Sequence, residues 1–399
     1  MKSHRITQMY ISNFLTGLVF WYGVEKLFMK SIGIDAVGVG VATAFLSIFC
    51  LLFDIPAGII ADRWSRKGML MLSAGSLAIC AIVLGVSTSL PMYILGYLFY
   101  GINVVATSGT YQAIIYDILH EEGRTESYSK IRGRAYGLFL VGAGVANVAS
   151  GFVVARFGLR SVFFITIVSC IANFIVLSGV TEPVFHKADN KEQTFSQMKH
   201  ASKAIARLKV LRALTIVLTV FAVSEMFKQD FGQLYMLRYV SAPQVIGLLW
   251  AAYAFTWGLG SMIAHRFKAR LSLVIWAAVV PLVLMCFIDT SLSLIIFMFQ
   301  AVAAAAMINL IDTRIQDATP SNVRASIMSV VSSLGRVIAI PSSFVIGWLI
   351  RDYGALWALR FVTLLVVLVF VYYLIASRND ESPNGMEAIG IVETPTPNI

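Results

Sequence analysis

In "DIPAGIIADRWSRKGML", Asp54 to Leu70, two acids and three bases are set into an otherwise apolar stretch. A carboxylate in such surroundings has three uses: it binds a proton, pairs with a base, or accepts N–H groups at the positive end of a neighbouring helix. Asp62 is followed by Arg63, Arg66 and Lys67, bases able to bond nearby carboxylates, and Asp117 is the expected partner. Gly58 would let another helix approach Asp62. Gly58, Asp62, Arg63, Arg66, Lys67 and Asp117 are therefore expected to form a gate at a membrane edge, the alternative being that the bases only set topology. Asp54 lies eight residues before Asp62, roughly 12 Å deeper along a helix. An ionised acid there is costly unless paired, proton-bound or hydrated. It marks a functional site, or else a structural acid bonded where Pro56 frees backbone groups.

The other charges inside apolar runs are few. Glu225, Lys228 and Asp230 fall in "SEMFKQDFGQLYM", Asp312 and Arg314 near the end of a later run, and Arg336 near the middle of the next. Asp54, Glu225, Asp312 and Arg336 are the candidates for proton or substrate coupling. Glu225 leads, lying roughly 21 Å into a run that begins near Leu211. The alternative for Glu225 is neutralisation by Lys228 three residues on. Arg336 is expected to pair with Asp312 in its own half or, where the second and eleventh runs lie side by side, with Asp54 at a matching depth. Trp21, Tyr97, Tyr100, Met226, Tyr235, Trp250 and Tyr253 are candidate cavity residues, offering stacking, cation–π attraction and adaptable thioethers to a bulky amphipathic or cationic compound. An HExxH pair, a phosphate-cradling glycine loop and a G-x-S-x-G elbow are absent, so neither an enzyme nor a cofactor is expected. Cys50, Cys80, Cys170 and Cys286 lack metal-ligand spacing and are read as packing residues, with no metal.

What must position these residues follows from composition. Of 399 residues, 58% are hydrophobic and 13% charged, too apolar for a soluble globule. Twelve apolar runs are long enough to cross a bilayer as helices, near 8–27, 37–60, 69–89, 92–118, 135–155, 160–180, 211–238, 243–264, 271–289, 292–315, 325–349 and 355–376. The first, after "MKSHR", is read as a helix rather than a cleaved signal. The formal charge of +10 sits in alternate loops, not in a soluble domain with interleaved aromatics, which argues against nucleic acid. The positive-inside rule puts those loops and both termini in the cytoplasm.

The chain divides into a six-helix bundle at 1–181, a basic linker at 182–210 containing an amphipathic helix, a second bundle at 211–376, and a disordered tail at 377–399. "GIIADRWSRK" at Gly58 aligns with "SMIAHRFKAR" at Ser261, and Asp117 precedes Arg124 as Asp317 precedes Arg324, which indicates an internal duplication.

Gly58, Asp62, Arg63, Arg66 and Lys67, in a loop after the second of six helices, resemble the signature loop of the major facilitator superfamily, and the resemblance covers essentially the whole chain. "DIPAGIIADRWSRK" and "SGTYQAIIYDILHEEGR" are similar to a bacterial branch whose second helix reads acid-Ile-Pro-small-Gly, many members of which are regarded as drug exporters. The resemblance implies an all-α membrane protein, twelve helices in two bundles rocking about a central site. It implies a carrier of the bacterial inner membrane, working as a monomer among lipids with a small-molecule substrate and protons. Proton-driven export of amphipathic or cationic compounds is the favoured expectation. A carrier for a specific metabolite or lipid headgroup, and a non-transporting sensor or scaffold that kept the fold, are the alternatives. The family's exporters often carry an arginine in the fourth helix and a glycine-proline signature in the fifth. This chain has Tyr97 at the former place and Gly142, Gly144 and Gly151 without a proline at the latter.

Overall fold

The computed structural model describes residues 4–183, 205, 209–267, 270–317, 319 and 321–378. The proposed amphipathic helix of the linker and the tail beyond Arg378 lie outside the described residues. Among those described, the regular structure is helical throughout. The helices are α1 (His4–Gly17), α2 (Glu25–Ser31), α3 (Ala36–Arg63), α4 (Arg66–Val86), α5 (Leu90–Thr107), α6 (Thr110–Glu121), α7 (Tyr128–Phe157) and α8 (Ser161–Ser178). They continue as α9 (Lys209–Met226), α10 (Gly232–Met236), α11 (Pro243–Ile263), α12 (Leu271–Met285), α13 (Leu292–Asp317), α14 (Ser321–Tyr353) and α15 (Ala355–Arg378). Among the described residues, nine segments are long and apolar enough to cross a membrane, and α12 is a shorter apolar helix. Their outward faces carry large apolar side chains such as Phe152, Val168, Phe255 and Leu368, which water would not tolerate in such number but lipid does.

Local chemistry sets the helix starts. Asp35 caps α3 by accepting the Gly38 N–H at 2.8 Å, and Ser65 caps α4 by accepting that of Gly68 at 2.7 Å. Pro91 opens α5, where its missing N–H costs nothing. Gly109, at φ 72°, takes the left-handed turn that separates α5 from α6, so the expected run at 92–118 is two helices rather than one.

Two further runs depart from the expectation of unbroken helices. The first, at 8–27, ends as a helix at Gly17 and resumes at Glu25. Backbone freed inside a membrane must find other partners, and here helix α8 supplies them. Thr166 Oγ1 accepts from the Phe20 N–H at 3.0 Å, and Ser169 donates to the Leu18 carbonyl at 2.8 Å. The seventh run, at 211–238, is interrupted by a π-helical turn, Phe227–Phe231, between α9 and α10. Such turns concentrate at functional sites.

The helices gather into two compact units. One takes residues 1–189 with 227–258 and 340–358, and in it α4 packs on α5 and α8, α1 on α7 and α8, and α3 on α5. The other takes 190–226, 259–339 and 359–399, with α12 against α13 and α9 against α13. In this second unit the Cys286 thiol donates to Thr363 at 3.4 Å, and Arg360 reaches the Cys286 carbonyl at 3.2 Å.

Candidate functional site

The first unit holds a cavity of about 470 Å³ between the broken first span and helices α5, α6 and α7. Helix α1 supplies Asn13 and Thr16, the break supplies Tyr22, α5 supplies Tyr100, Asn103 and Thr107, α6 supplies Tyr111 and Gln112, and α7 supplies Tyr136 and Phe139. Among the described residues, its lining contains no Asp, Glu, Lys, Arg or His. The polar groups are held in place by one another. Tyr111 shares hydrogen bonds with Ser12 and Thr16 at 2.8 Å each, Asn103 donates to Ser73 Oγ at 2.7 Å, and Tyr22 and Tyr100 join hydroxyls at 2.8 Å. Tyr136 and Phe139 stack with ring centroids 5.9 Å apart, presenting aromatic surface at one side.

Beyond the Tyr22–Tyr100 pair lies a charged cluster. Glu25 and Lys26, 8% and 2% exposed, open helix α2. The Glu25 carboxylate accepts from Tyr93 and Tyr97 at 2.6 Å each and from the Lys26 ammonium at 2.9 Å. The Lys26 backbone N–H donates to Gln233 Oε1 at 2.9 Å, and Gln233 Nε2 donates to the Tyr22 carbonyl. One glutamine side chain of α10 thus pins the broken segment. Three donors on a buried carboxylate are the compensation that keeps such a charge affordable in a low dielectric.

The residues expected to form the gate make a second group. Arg66 bonds Asp62 at 2.9 Å and also bonds Asp117, while Lys67 donates to the Ser178 carbonyl at 2.7 Å. Glu182 accepts from Ser65 Oγ at 2.6 Å and from the Lys67 N–H at 3.2 Å, fastening the segment after α8 to the start of α4. Arg5 bridges Glu121 at 2.7 Å and Glu122 at 3.2 Å. Arg63 is exposed. A Cβ built on Gly58 would meet nothing within 4 Å among the described residues.

The sequence-derived candidates fall in several places. Tyr100 lines the cavity, whereas Tyr97 serves the Glu25 carboxylate. Trp21 is fully buried, stacked on Phe163 at 5.4 Å, and is packing rather than lining. Tyr235 is buried edge-on to Phe227 and Tyr239, and Trp250 lies against Tyr253 with centroids 5.1 Å apart. Met226 and Glu225 are buried near the end of α9, and the Lys228 ammonium lies 5.6 Å from the centre of the Trp257 ring. Asp54, Asp312 and Arg336 are half-buried on α3, α13 and α14. Glu25, Lys26, Tyr93 and Gln233 escaped the sequence reading because the dipeptide "EK" falls where the first run seems to end. The available signal was that apolar "LFM" resumes at once behind it.

The family model described as Major Facilitator Superfamily matches residues 9–338. An uncharacterized transporter, BU466, of Buchnera aphidicola subsp. Acyrthosiphon pisum is 27% identical over 139 residues, 35% of this chain and 34% of that protein. The chain thus matches about a third of the length of its curated relatives. Among solved structures, the nucleoside transporter NupG superposes with a TM-score of 0.77 at 14% identity, covering 94% of this chain and all of that one. A bacterial homolog of the human lysosomal transporter Spinster, inward-facing and unoccupied, gives 0.72 at 17% identity over 95% and 98% of the two chains. The D-xylose-proton symporter gives 0.71 at 12% over 92% and 96%. These likenesses are of fold.

Proposed function

Since the chain belongs to the Major Facilitator Superfamily and is a multi-pass membrane transporter, we propose that it carries a small, neutral, hydrogen-bonding solute with a ring, a sugar or nucleoside in chemical type, by alternating access. The observation that carries this reading is the uncharged lining of the cavity. An ion entering it would lose hydration and meet no counter-charge, a cost that selects against cations and anions alike. A hydroxylated ring would find amides and hydroxyls that both donate and accept, and aromatic faces to stack on. The volume suits one small solute. Two solved neighbours, a nucleoside transporter and a xylose–proton symporter, support the same class.

In this reading the membrane is crossed twelve times. To the nine long segments we add α12, the broken pair α1 and α2, and the interrupted run from α9 through α10. Both termini and the Asp62–Arg66–Asp117 group then face the cytoplasm, by the distribution of bases. The working unit is a monomer in lipid, and the two sequence halves, 1–181 and 211–376, are the moving parts. Asp54, Glu225, Asp312 and Arg336 remain available for coupling to protons.

The test uses proteoliposomes of the purified full chain, loaded with unlabelled uridine or xylose and offered the labelled solute. Counterflow of one of these that Asn103→Ala and Tyr100→Ala reduce at least tenfold in apparent affinity is the expected result, one lost polar contact being worth about 1.4 kcal/mol. Gradient-driven movement of ethidium with no movement of either neutral solute would overturn it in favour of drug efflux.

A further inference from the structure

Glu25 sits where two distant stretches of the sequence meet inside the first unit. Its segment, α2, packs on α10, and two side-chain links between them run through Gln233, to the Lys26 N–H and the Tyr22 carbonyl. Tyr22 is also a cavity residue, bonded through its hydroxyl to Tyr100. The rings of Tyr93, Tyr97 and Tyr100 follow one another at 5.1 and 5.6 Å along α5. A continuous path therefore leads from the cavity to the carboxylate.

We propose that Glu25 is a proton-binding site of this transporter, shut in the conformation seen here and filled only when α2 and α10 part. The proposal rests on the transport reading above. The titratable and charged groups around the carboxylate are few. Tyr22 and Lys26 lie on its own segment, Tyr93, Tyr97 and Tyr100 on α5, Cys80 on α4, and Asp230 on the π-helical turn. Arg160, before α8, is turned instead to the Phe28 ring, 5.6 Å from its centre.

In the shut form both carboxylate oxygens are occupied by donors, one by the two phenols and the other by the ammonium. Adding a proton would displace a donor and leave the Lys26 charge buried without its nearest anion. When α2 and α10 separate, the two Gln233 bonds break and water reaches the cluster. Hydronium then gives its proton to a Glu25 oxygen and leaves as water, while Lys26 stays an ammonium held by solvent. The proton thus binds the open form in preference, and acid must shift the equilibrium towards that form by the same free energy.

The test is a distance measurement on the purified full chain in detergent, with spin labels at Ser31→Cys and Ser241→Cys, exposed positions at the end of α2 and just past α10. The four native cysteines are buried. Between pH 8 and pH 5 the long-distance population is expected to grow, by at most tenfold per pH unit for one proton. Glu25→Gln should flatten this dependence. Gln233→Leu keeps the carboxylate and its donors but removes the link, so it should raise the open population at every pH and retain the slope. No response to pH in the parent, or an unchanged slope in Glu25→Gln, overturns the proposal. Should Glu25→Gln fail to fold, Gln233→Leu alone decides: an open population no larger than the parent's, or a lost slope, overturns it. The measurement needs no substrate, so a failure to find a transported solute and a failure of the proton site are separate results.

Discussion

Arg66 answers two carboxylates with one guanidinium, and the two are not equivalent. Asp117 is 15% exposed at its side chain and Asp62 is 49% exposed, so water screens the second pairing far more than the first. Asp117→Asn is accordingly expected to destabilise the protein by about 1–3 kcal/mol, the worth of a hydrogen bond to a charged group, and Asp62→Asn by well under about 1 kcal/mol. Thermal unfolding of the two variants in the same detergent checks the order. For Asp62 the larger effect should be kinetic. In the proposed gate Asp62 would hold a conformation rather than a ligand, so Asp62→Asn is expected to slow transport while leaving equilibrium affinity unchanged, and a normal transport rate would remove it from the gate. This group was legible because its members lie close in sequence and their charges have little to do in an apolar run except meet. Asp117, 51 positions from Arg66, was expected as a partner of the three bases from its place at the end of the fourth run, and Arg66 is the base that reaches it. Glu25 and Lys26 were not, since adjacent opposite charges at the apparent end of a span look solvated, and only the carbonyl and amide partners supplied from α8 and α10 show that the chain is still buried there.

At the scale of elements, the break between α1 and α2 is the feature the sequence conceals and the site depends on. Hydropathy averages over such a gap, because Leu18–Val24 is as apolar as the helices beside it. What permits the gap is a pair of α8 side chains, and they differ in what they satisfy. Thr166 accepts from an N–H, and an orphaned buried N–H is the rarer and dearer fault; Ser169 donates to a carbonyl, which tolerates loss better. Thr166→Val is therefore expected to cost about 1–3 kcal/mol and Ser169→Ala less, read as a lower unfolding temperature and as faster backbone hydrogen exchange confined to residues 17–26. Equal exchange in the two variants would mean that the break is held by side-chain packing around Trp21 and Phe163 and not by these bonds. The helix starts, by contrast, were readable, since Asp35 and Ser65 carry their capping chemistry locally.

At the scale of the whole molecule, alternating access requires that contacts between distant parts of the chain be both close and reversible, and glycine is how this chain makes them within its first unit. A Cβ built on Gly347 of α14 would lie 2.5 Å from the Ala36 carbonyl oxygen at the start of α3, and one on Gly40 would lie 2.5 Å from that of Ser343. Gly151 of α7 stands in the same relation to Pro243 of α11, and Gly247 to Asn147 at 2.8 Å. Backbone against backbone leaves no rotamer to adjust, so an added side chain must push the helices apart. Gly347→Val is expected to disfavour the closed arrangement of α3 and α14 by about 2 kcal/mol, roughly thirtyfold in the equilibrium. The Ser31–Ser241 distance should lengthen and transport should fall with it. Gly58→Val supplies the opposite case. Nothing described lies within 4 Å of the added atom, so the distance distribution should stay that of the parent. Yet if the cytoplasmic edge closes on Gly58 during the cycle, the variant should transport slowly although its resting structure is unchanged. A Gly58→Val protein that transports at the normal rate would show that no helix comes to rest there in any state, and would confine the gate to the ion pairs of Arg66.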